Sequence, residues 1–337
     1  MDAILVGAGA IAANHARALQ ESPHVGGFVV CDPDPQARGR LVAGHPKARD
    51  GGGDFGARIA TGGAGLVVNC TPHHLHLPVA LAALEAGMDV ITEKPIARCS
   101  DEGRQMVEAA QAAGRRLYVS MNQRFFPTHV KAKELLDAGA IGRPLLCVIN
   151  QFGAEITRMG DPQSWKGSWE LAGGGALVDT GYHAVYTMLH WCGRPTAVCA
   201  VTPRLYVEAE NKADDNAVVS LLFGDRMAGS IVVSYTCLGS PWDEQRHLYG
   251  DEGHVFITDR NGGELALVQR HATVPAPIRA LDPLHPLSVT AACTHGIECL
   301  VSGEPFGVDP QEAIDALVVI EAAYESWRNG VTVSLGE

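Results

Sequence analysis

Ala3-Ile4-Leu5-Val6 runs without a break into Gly7-Ala8-Gly9-Ala10-Ile11-Ala12 and then into a helical spacing through His15, Ala18 and Leu19. A chain with this start is committed to strand, glycine turn and helix in the form G-x-G-x-x-A. The glycines permit a tight turn and a close approach of the backbone. The helix that follows turns its free N–H groups and positive dipole end toward any pyrophosphate lying there. Gly7, Gly9, Ala10, Ile11 and Ala12 are therefore the expected phosphate cradle. A second apolar run, Gly27-Phe28-Val29-Val30-Cys31, ends at Asp32. That acid stands about 20 residues beyond the turn, where a dinucleotide fold meets the adenosine ribose hydroxyls. Asp32 would repel a 2′-phosphate, so NAD is expected over NADP. Arg38 is the nearby basic residue that could accommodate the phosphate, which keeps NADP open.

The pattern then repeats. Strand-like runs at 65–70, 88–92 and 117–119 alternate with helical stretches through Ala86 and from about Asp101 to Ala113. Residues 44–63 are rich in glycine and allow only a short helix near Asp54–Ala60. Strands alternating with helices imply right-handed crossovers and a parallel sheet, the Rossmann arrangement, with ligands at the carboxyl ends of the strands. Asp32, Thr71 and Lys94 all stand at such ends. His73, His74 and His76 are bunched too tightly to close a tetrahedral metal site, so no metal is expected and the reading is a loop edge facing a cofactor. A lysine at the end of an apolar strand, in Glu93-Lys94-Pro95, is either solvated or held for use by a partner or ligand.

A second feature stands further along, at Gly173-Gly174-Gly175-Ala176-Leu177-Val178-Asp179-Thr180-Gly181-Tyr182-His183. Three glycines let the backbone come very close to something else. The helix expected from Ala176 to about Trp191 carries Asp179 and His183 at i and i+4, one above the other on one face. A carboxylate beside an imidazole is a common way to hold and tune a general acid or base. Just before the glycines lie Trp165, Lys166 and Trp169. Aromatic faces and a cation suit a sugar ring, while the i, i+4 tryptophans equally suit core packing.

From about residue 122 the pattern changes to consecutive strands, at 144–152 and then near 196–207, 215–223, 227–236, 244–250, 253–258 and 264–268. Turn signals such as Phe223-Gly224-Asp225-Arg226 and Asp259-Arg260-Asn261-Gly262 separate them. This predicts an α+β domain with a large, mostly antiparallel open sheet. Val218, Leu222, Ile231 and Val233 are expected to form an apolar face used for homo-oligomerisation. Residues 271–287, with Pro275, Pro277, Pro283 and Pro286, read as an irregular connection, and helices at about 288–302 and 310–328 finish the chain.

At 337 residues two domains are expected, 1–122 and 123–337. The net charge of -12 argues against nucleic acid or an anionic membrane as the partner. Nine cysteines without a CxxC pair point to a reduced setting rather than a disulfide scaffold. Met1-Asp2-Ala3 leads straight into a strand, and no apolar run reaches membrane-spanning length, so a cytoplasmic protein is expected.

Taken together, the glycine turn, Asn69-Cys70-Thr71-Pro72 with His76, Leu84 to Pro95 ending in Glu93-Lys94-Pro95, Arg124-Phe125-Phe126-Pro127, Ala140-Ile141-Gly142 and the Asp179/His183 stretch resemble the Gfo/Idh/MocA oxidoreductase family. The resemblance covers nearly the whole chain. It implies a dinucleotide-binding domain, a substrate domain, and hydride transfer between NAD(P) and a hydroxyl or carbonyl of a sugar, cyclitol or sugar derivative. It implies that Lys94, Asp179 and His183 are catalytic, His183 taking the hydroxyl proton, Lys94 bonding to the reacting oxygen and Asp179 orienting its neighbours. Gly7, Gly9, Ala10, Ile11, Ala12, Asp32, Thr71, Pro72, His76, Glu93 and Lys94 are implied to serve the cofactor. Arg124 is implied as a further substrate contact, and Trp165 and Lys166, read above from their residue types, are the other candidates to join the catalytic three against substrate. The peptide bond before Pro95 is often cis in the family, and assembly is a homodimer or homotetramer through the C-terminal sheet. The chain departs from the family pattern in residues 50–63. Two rival activities remain: a sugar lyase or glycosidase using tightly bound NAD as a transient oxidant, and a non-catalytic NAD-binding regulator.

Overall fold

The computed structural model describes residues 1–206, 213–239, 242–258, 263–270, 276–279 and 284–336. They divide into two compact units, 1–122 with 285–314, and 123–284 with 315–337.

The first unit is built on a six-stranded parallel sheet: β1 (Asp2–Val6), β2 (Gly27–Cys31), β3 (Ala48–Asp50), β4 (Leu66–Asn69), β5 (Asp89–Glu93) and β6 (Leu117–Ser120). Its order is β3-β2-β1-β4-β5-β6. Ile4, Leu5, Leu66, Val67, Val68, Val90 and Ile91 are all sealed from solvent. Strands this apolar on both faces survive only with helices packed on both sides, which is why the sheet is parallel and doubly wound. The strand order reverses between β1 and β4, and the crevice at that point is where such sheets bind ligands. The short strand β3 was hidden in the glycine-rich stretch. The helix beside it, Phe55–Ala60, is capped by Asp54, whose carboxylate accepts from the Ala57 N–H.

Residues 285–314 group with this unit rather than with the second, while the single boundary expected from the sequence lies at 122. Arg116 explains the attachment: its guanidinium lies 4.1 Å over the Phe306 ring and donates to the carbonyls of Cys299 and Glu304. The Asn122 amide adds a bond of 2.9 Å to Ser288. The helix responsible, Leu284–Ser302, begins inside the stretch expected to be irregular and takes in Pro286.

The second unit carries nine strands: β7 (Pro144–Phe152), β8 (Ala197–Val201), β9 (Asn216–Phe223), β10 (Met227–Ser234), β11 (Asp243–Gly250), β12 (Gly253–Thr258), β13 (Glu264–Gln269), β14 (Ala276–Arg279) and β15 (Val333–Ser334). The order is β14-β13-β12-β11-β7-β10-β9-β8-β15. β7 and β10 run parallel, and the other neighbours are antiparallel. β14 was not expected. It contains Pro277 and lies at the sheet edge, where a missing N–H costs no ladder bond. The turn expected at 259–262, the end of the strand expected to reach 207, and Pro275 and Pro283 lie outside the described residues.

One face of this sheet is covered by the helix Gly181–Cys192. A side chain at Gly181 would press on Val233, and one at Gly229 on the sulfur of Met188, so both glycines mark where helix and sheet come closest. The expected apolar face divides in two. Ile231 and Val233 are buried, whereas Val218 and Leu222 are each 47% exposed. The register pairs Val218 with Val232 and Leu222 with Ala228, so those four share one face and Ile231 and Val233 point to the other.

Candidate active site

In the first unit the strand ends bring the expected cofactor residues together. Gly7 takes a φ of +96°, and a β-carbon there would sit 2.5 Å from the Cys70 carbonyl oxygen. No residue but glycine fits where β1 leaves the sheet beside β4. At Gly9, by contrast, a β-carbon would meet nothing within 4 Å, so this backbone is open to an incoming group. The helix Ala12–Glu21 starts here with no side-chain cap on its first N–H groups. Ala10 is exposed, Ile11 half-buried and Ala12 buried.

Asp32 follows β2 and turns back to this loop. Its Oδ2 accepts from the Ala8 N–H at 2.7 Å and its Oδ1 from the Asp34 N–H at 2.8 Å. Arg38 is engaged on Asp50, at 2.7 Å, and on the Asp32 carbonyl, at 2.5 Å. The glycine turn, an uncapped helix start and an acid at the next strand end match the shape and donor pattern of a dinucleotide's pyrophosphate and ribose.

Thr71 and Pro72 follow β4, and the Thr71 hydroxyl donates to Asn69 at 2.7 Å. His76 is fully buried, with Nδ1 2.8 Å from the Pro95 carbonyl and Nε2 2.9 Å from that of Thr71. It ties the two turns together from beneath. Burial keeps this imidazole from charging, despite the carbonyls that favour the cation. No group of three or more His, Cys, Asp or Glu among the described residues could hold a metal ion.

The Glu93 carboxylate pairs with His15 at 2.7 Å and accepts from the Lys94 N–H at 3.2 Å. Burial alone would push its pKa up, but the hydrogen bond and charge of His15, with Lys94 beside it, bring it below the ordinary value. Lys94 is half-buried at the end of β5, and the Lys94–Pro95 bond is cis.

In the second unit the three glycines do a definite job. The chain passes so close to Asp214 and Tyr324 that a β-carbon at Gly175 would lie 1.8 Å from the Asp214 carbonyl oxygen, and one at Gly174 2.2 Å from the Tyr324 hydroxyl. The Asp214 carboxylate accepts from the Gly175 N–H at 2.8 Å, the Leu177 N–H at 2.9 Å and the Tyr324 hydroxyl at 2.7 Å. This carboxylate therefore caps the helical segment that carries Asp179. Burial pushes its pKa up to about 6 against the pull of those donors.

The expected helix is present with one irregularity. Ala176–Asp179 and Gly181–Cys192 are separated only by Thr180, itself in helical conformation. Asp179 and His183 keep their i, i+4 spacing but take different partners. Asp179 Oδ2 accepts from Lys166 Nζ at 2.5 Å and from the Tyr235 hydroxyl at 2.8 Å. His183 is buried, and its Nδ1 lies 2.9 Å from the Tyr186 hydroxyl.

Lys166 reaches Asp179 from a short turn, Trp165–Gly167, capped by Ser164, and lies 5.8 Å from the Trp165 ring centre. Trp169, half-buried, packs edge-on against Tyr324 at 4.6 Å. Arg124 acts on His190, whose pKa burial lowers to about 3 with Arg124's help. His190 lies two helical turns beyond His183. Tyr186, Tyr235, Asp214 and Tyr324 were not expected; only Tyr186, three residues from His183, stood at a spacing that could have shown it.

Comparison with known proteins identifies the family and the fold. Residues 1–121 match the model of an oxidoreductase family with an NAD-binding Rossmann fold, and residues 129–256 match the Gfo/Idh/MocA C-terminal domain. A levoglucosan dehydrogenase of Pseudarthrobacter phenanthrenivorans is 30% identical over 58% of this chain and 55% of its own length. The chain thus aligns with about half of that relative. A D-apiose dehydrogenase of Rhizobium rhizogenes is 27% identical over 98% of this chain and 96% of its own. Among solved structures, GenD2 from gentamicin A biosynthesis, in complex with NAD, is 27% identical with a TM-score of 0.85, covering 100% of this chain and 97% of that one.

Proposed function

Because this chain belongs to the Gfo/Idh/MocA oxidoreductase family, with the NAD-binding Rossmann domain at residues 1–121, we propose that it catalyses reversible hydride transfer between NAD and a CH–OH group of a sugar, a cyclitol or a sugar derivative. The observation that carries the reading is the Asp179 carboxylate held by Lys166 and Tyr235, with His183 one turn further along the helix. A fixed carboxylate, an ammonium and an imidazole suit a polyhydroxylated molecule. They hold its hydroxyls and meet charge where it develops on the reacting oxygen. Relatives named for levoglucosan, inositol and D-apiose support the same substrate class.

When bound, the nicotinamide cofactor accepts or returns the hydride. The turn Gly7–Ala12 and the turn at Thr71-Pro72 would hold its phosphates and Asp32 its adenosine ribose, with Glu93 fixing the strand end that presents Lys94. The substrate hydroxyl must also lose a proton, and Lys94 and His183 are the two side chains of the set proposed to take it or to bond to the oxygen left behind. Asp179 holds the substrate and is itself held by Lys166 and Tyr235.

A panel of sugars, uronic acids, inositols and nucleotide-sugars, followed by NADH absorbance in both directions, tests the proposal. Turnover of at least one member with stoichiometric NADH is expected. A chain that binds NADH tightly and turns over none of the panel would refute it. Release of product without net NADH would instead identify the transient-oxidant chemistry.

We further propose a homo-oligomer formed through the sheet face that carries Val201, Val218 and Leu222, each exposed. Sedimentation showing only monomer at micromolar concentration would overturn it. No helix among the described residues is long and apolar enough to cross a membrane. All nine cysteines are free, which supports a reducing, cytoplasmic setting.

A further inference from the structure

The bonds around Tyr186 determine which nitrogen of His183 carries the proton. Tyr186 lies one turn along the helix from His183 and is 1% exposed. Its hydroxyl oxygen is 2.9 Å from His183 Nδ1 and 3.0 Å from the main-chain nitrogen of Gln123. An amide N–H can only donate, so it occupies one lone pair of the phenol oxygen. The phenol proton then has Nδ1 as its acceptor.

Gln123 is held in place in turn. Its Oε1 accepts from Arg246 at 2.7 Å and its Nε2 donates to Glu244 at 3.1 Å, while Arg246, fully buried, pairs with Glu244 at 2.7 Å. The donor that fixes the phenol is therefore anchored by a buried network. Burial pushes the Tyr186 pKa well up, outweighing the Gln123 N–H and Arg246, so the phenol keeps the proton it donates.

We propose that Tyr186 is a positioning residue that holds neutral His183 with its proton on Nε2, so that His183 donates a hydrogen bond to the reacting oxygen of the substrate and does not take its proton. If Nδ1 carried the proton instead, the phenol would face two donors and its own buried proton would lose its acceptor. An unmet buried hydroxyl disfavours that state by roughly five- to a hundredfold, and the doubly protonated imidazolium meets the same penalty. A neutral imidazole used as a donor stabilises a carbonyl or alkoxide oxygen without giving up its proton. The hydroxyl proton is then left to the Lys94 amine, the other candidate, which reverses the roles expected from the sequence. This inference rests on the function proposed above for its substrate, but the tautomer itself does not.

The test is nitrogen-15 NMR on the full-length chain with labelled histidine, the His183 signal being assigned by its loss in His183→Gln. In the wild type above the titration of the ring, Nε2 is expected to show the protonated-type shift and Nδ1 the unprotonated type. In Tyr186→Phe the fixed preference is expected to disappear, and kcat to fall by about tenfold with KM little changed. Protonated Nδ1 in the wild type, or a Tyr186→Phe ring still fixed with its proton on Nε2, overturns the proposal. Because the wild-type spectrum needs no substrate and no turnover, it decides the tautomer separately from the activity. Lack of activity on every polyol would refute the dehydrogenase reading and leave the tautomer standing.

Discussion

Lys166 Nζ lies 2.5 Å from Asp179 Oδ2, although thirteen residues and the whole glycine turn separate them in sequence. The two side chains are 21% and 13% exposed, so water screens their attraction only in part. Tyr235 completes the set from the neighbouring sheet, and burial with the Asp179 charge beside it holds its phenol protonated. Lys166→Met keeps the chain's length and removes the charge. It is expected to lower kcat/KM for the substrate by roughly ten- to a hundredfold, because Asp179 loses the partner that aims it. NADH affinity, measured by fluorescence titration, should stay within about twofold. Equal loss of NADH binding would show that Lys166 acts through the fold and not through Asp179.

Removing the imidazole tests the other half of this helix. His183→Ala is expected to lower turnover about a hundredfold or more, the usual consequence of losing a group that bonds to the reacting oxygen. The ring is buried, so some stability is lost as well, and thermal unfolding of the variant must be followed alongside the steady-state rate. Full turnover from a folded His183→Ala protein would remove His183 from the mechanism.

The legible parts of this chain are those written locally. β7 is found at the residues the sequence predicts, and the turn from Gly7 to Ala12 can be read because strand, glycines and helix are contiguous. The helix Pro127–Asp137 was not expected. Its buried positions include Thr128 and His129, so its inward face carries no apolar periodicity to detect. The site divides in the same way. Asp179 and His183 announce themselves by spacing, whereas Asp214, Tyr235 and Tyr324 come from 35 to 145 residues further on and leave no local mark. The glycines showed that something came close, and only the folded chain shows it to be Asp214 and Tyr324.

Cofactor choice turns on Asp32. Its carboxylate is tied to the Ala8 N–H, and the Arg38 guanidinium beside it is already engaged with Asp50. The wild type is therefore expected to bind NADH more tightly than NADPH, since a 2′-phosphate would meet a fixed negative charge. Asp32→Ser should narrow that preference by about tenfold or more through loss of repulsion. Equal affinities in the wild type, measured by calorimetry, would refute the role of Asp32.

Asp214 links the fold of the site to pH. Its folded pKa is raised from 3.8 to about 6, burial being the dominant cause. Below the unfolded value both states hold the proton, and the group contributes nothing to the pH dependence. Between about 4 and 6 the unfolded chain has released the proton while the folded chain retains it, so stability falls as pH rises through this window. Above about 6 both are ionised and the full loss, about 3 kcal/mol for two units, has been reached. Other groups superimpose their own slopes, so the informative quantity is a difference. Asp214→Asn cannot titrate, and urea unfolding at pH 4.5 and pH 7 should show the wild type losing more stability between the two than the variant does. The variant is expected to be weaker at both, because its amide turns a donor toward either the Leu177 N–H or the pair Gly175 and Tyr324. The same slope in wild type and variant would show that the three donors at this carboxylate outweigh its burial.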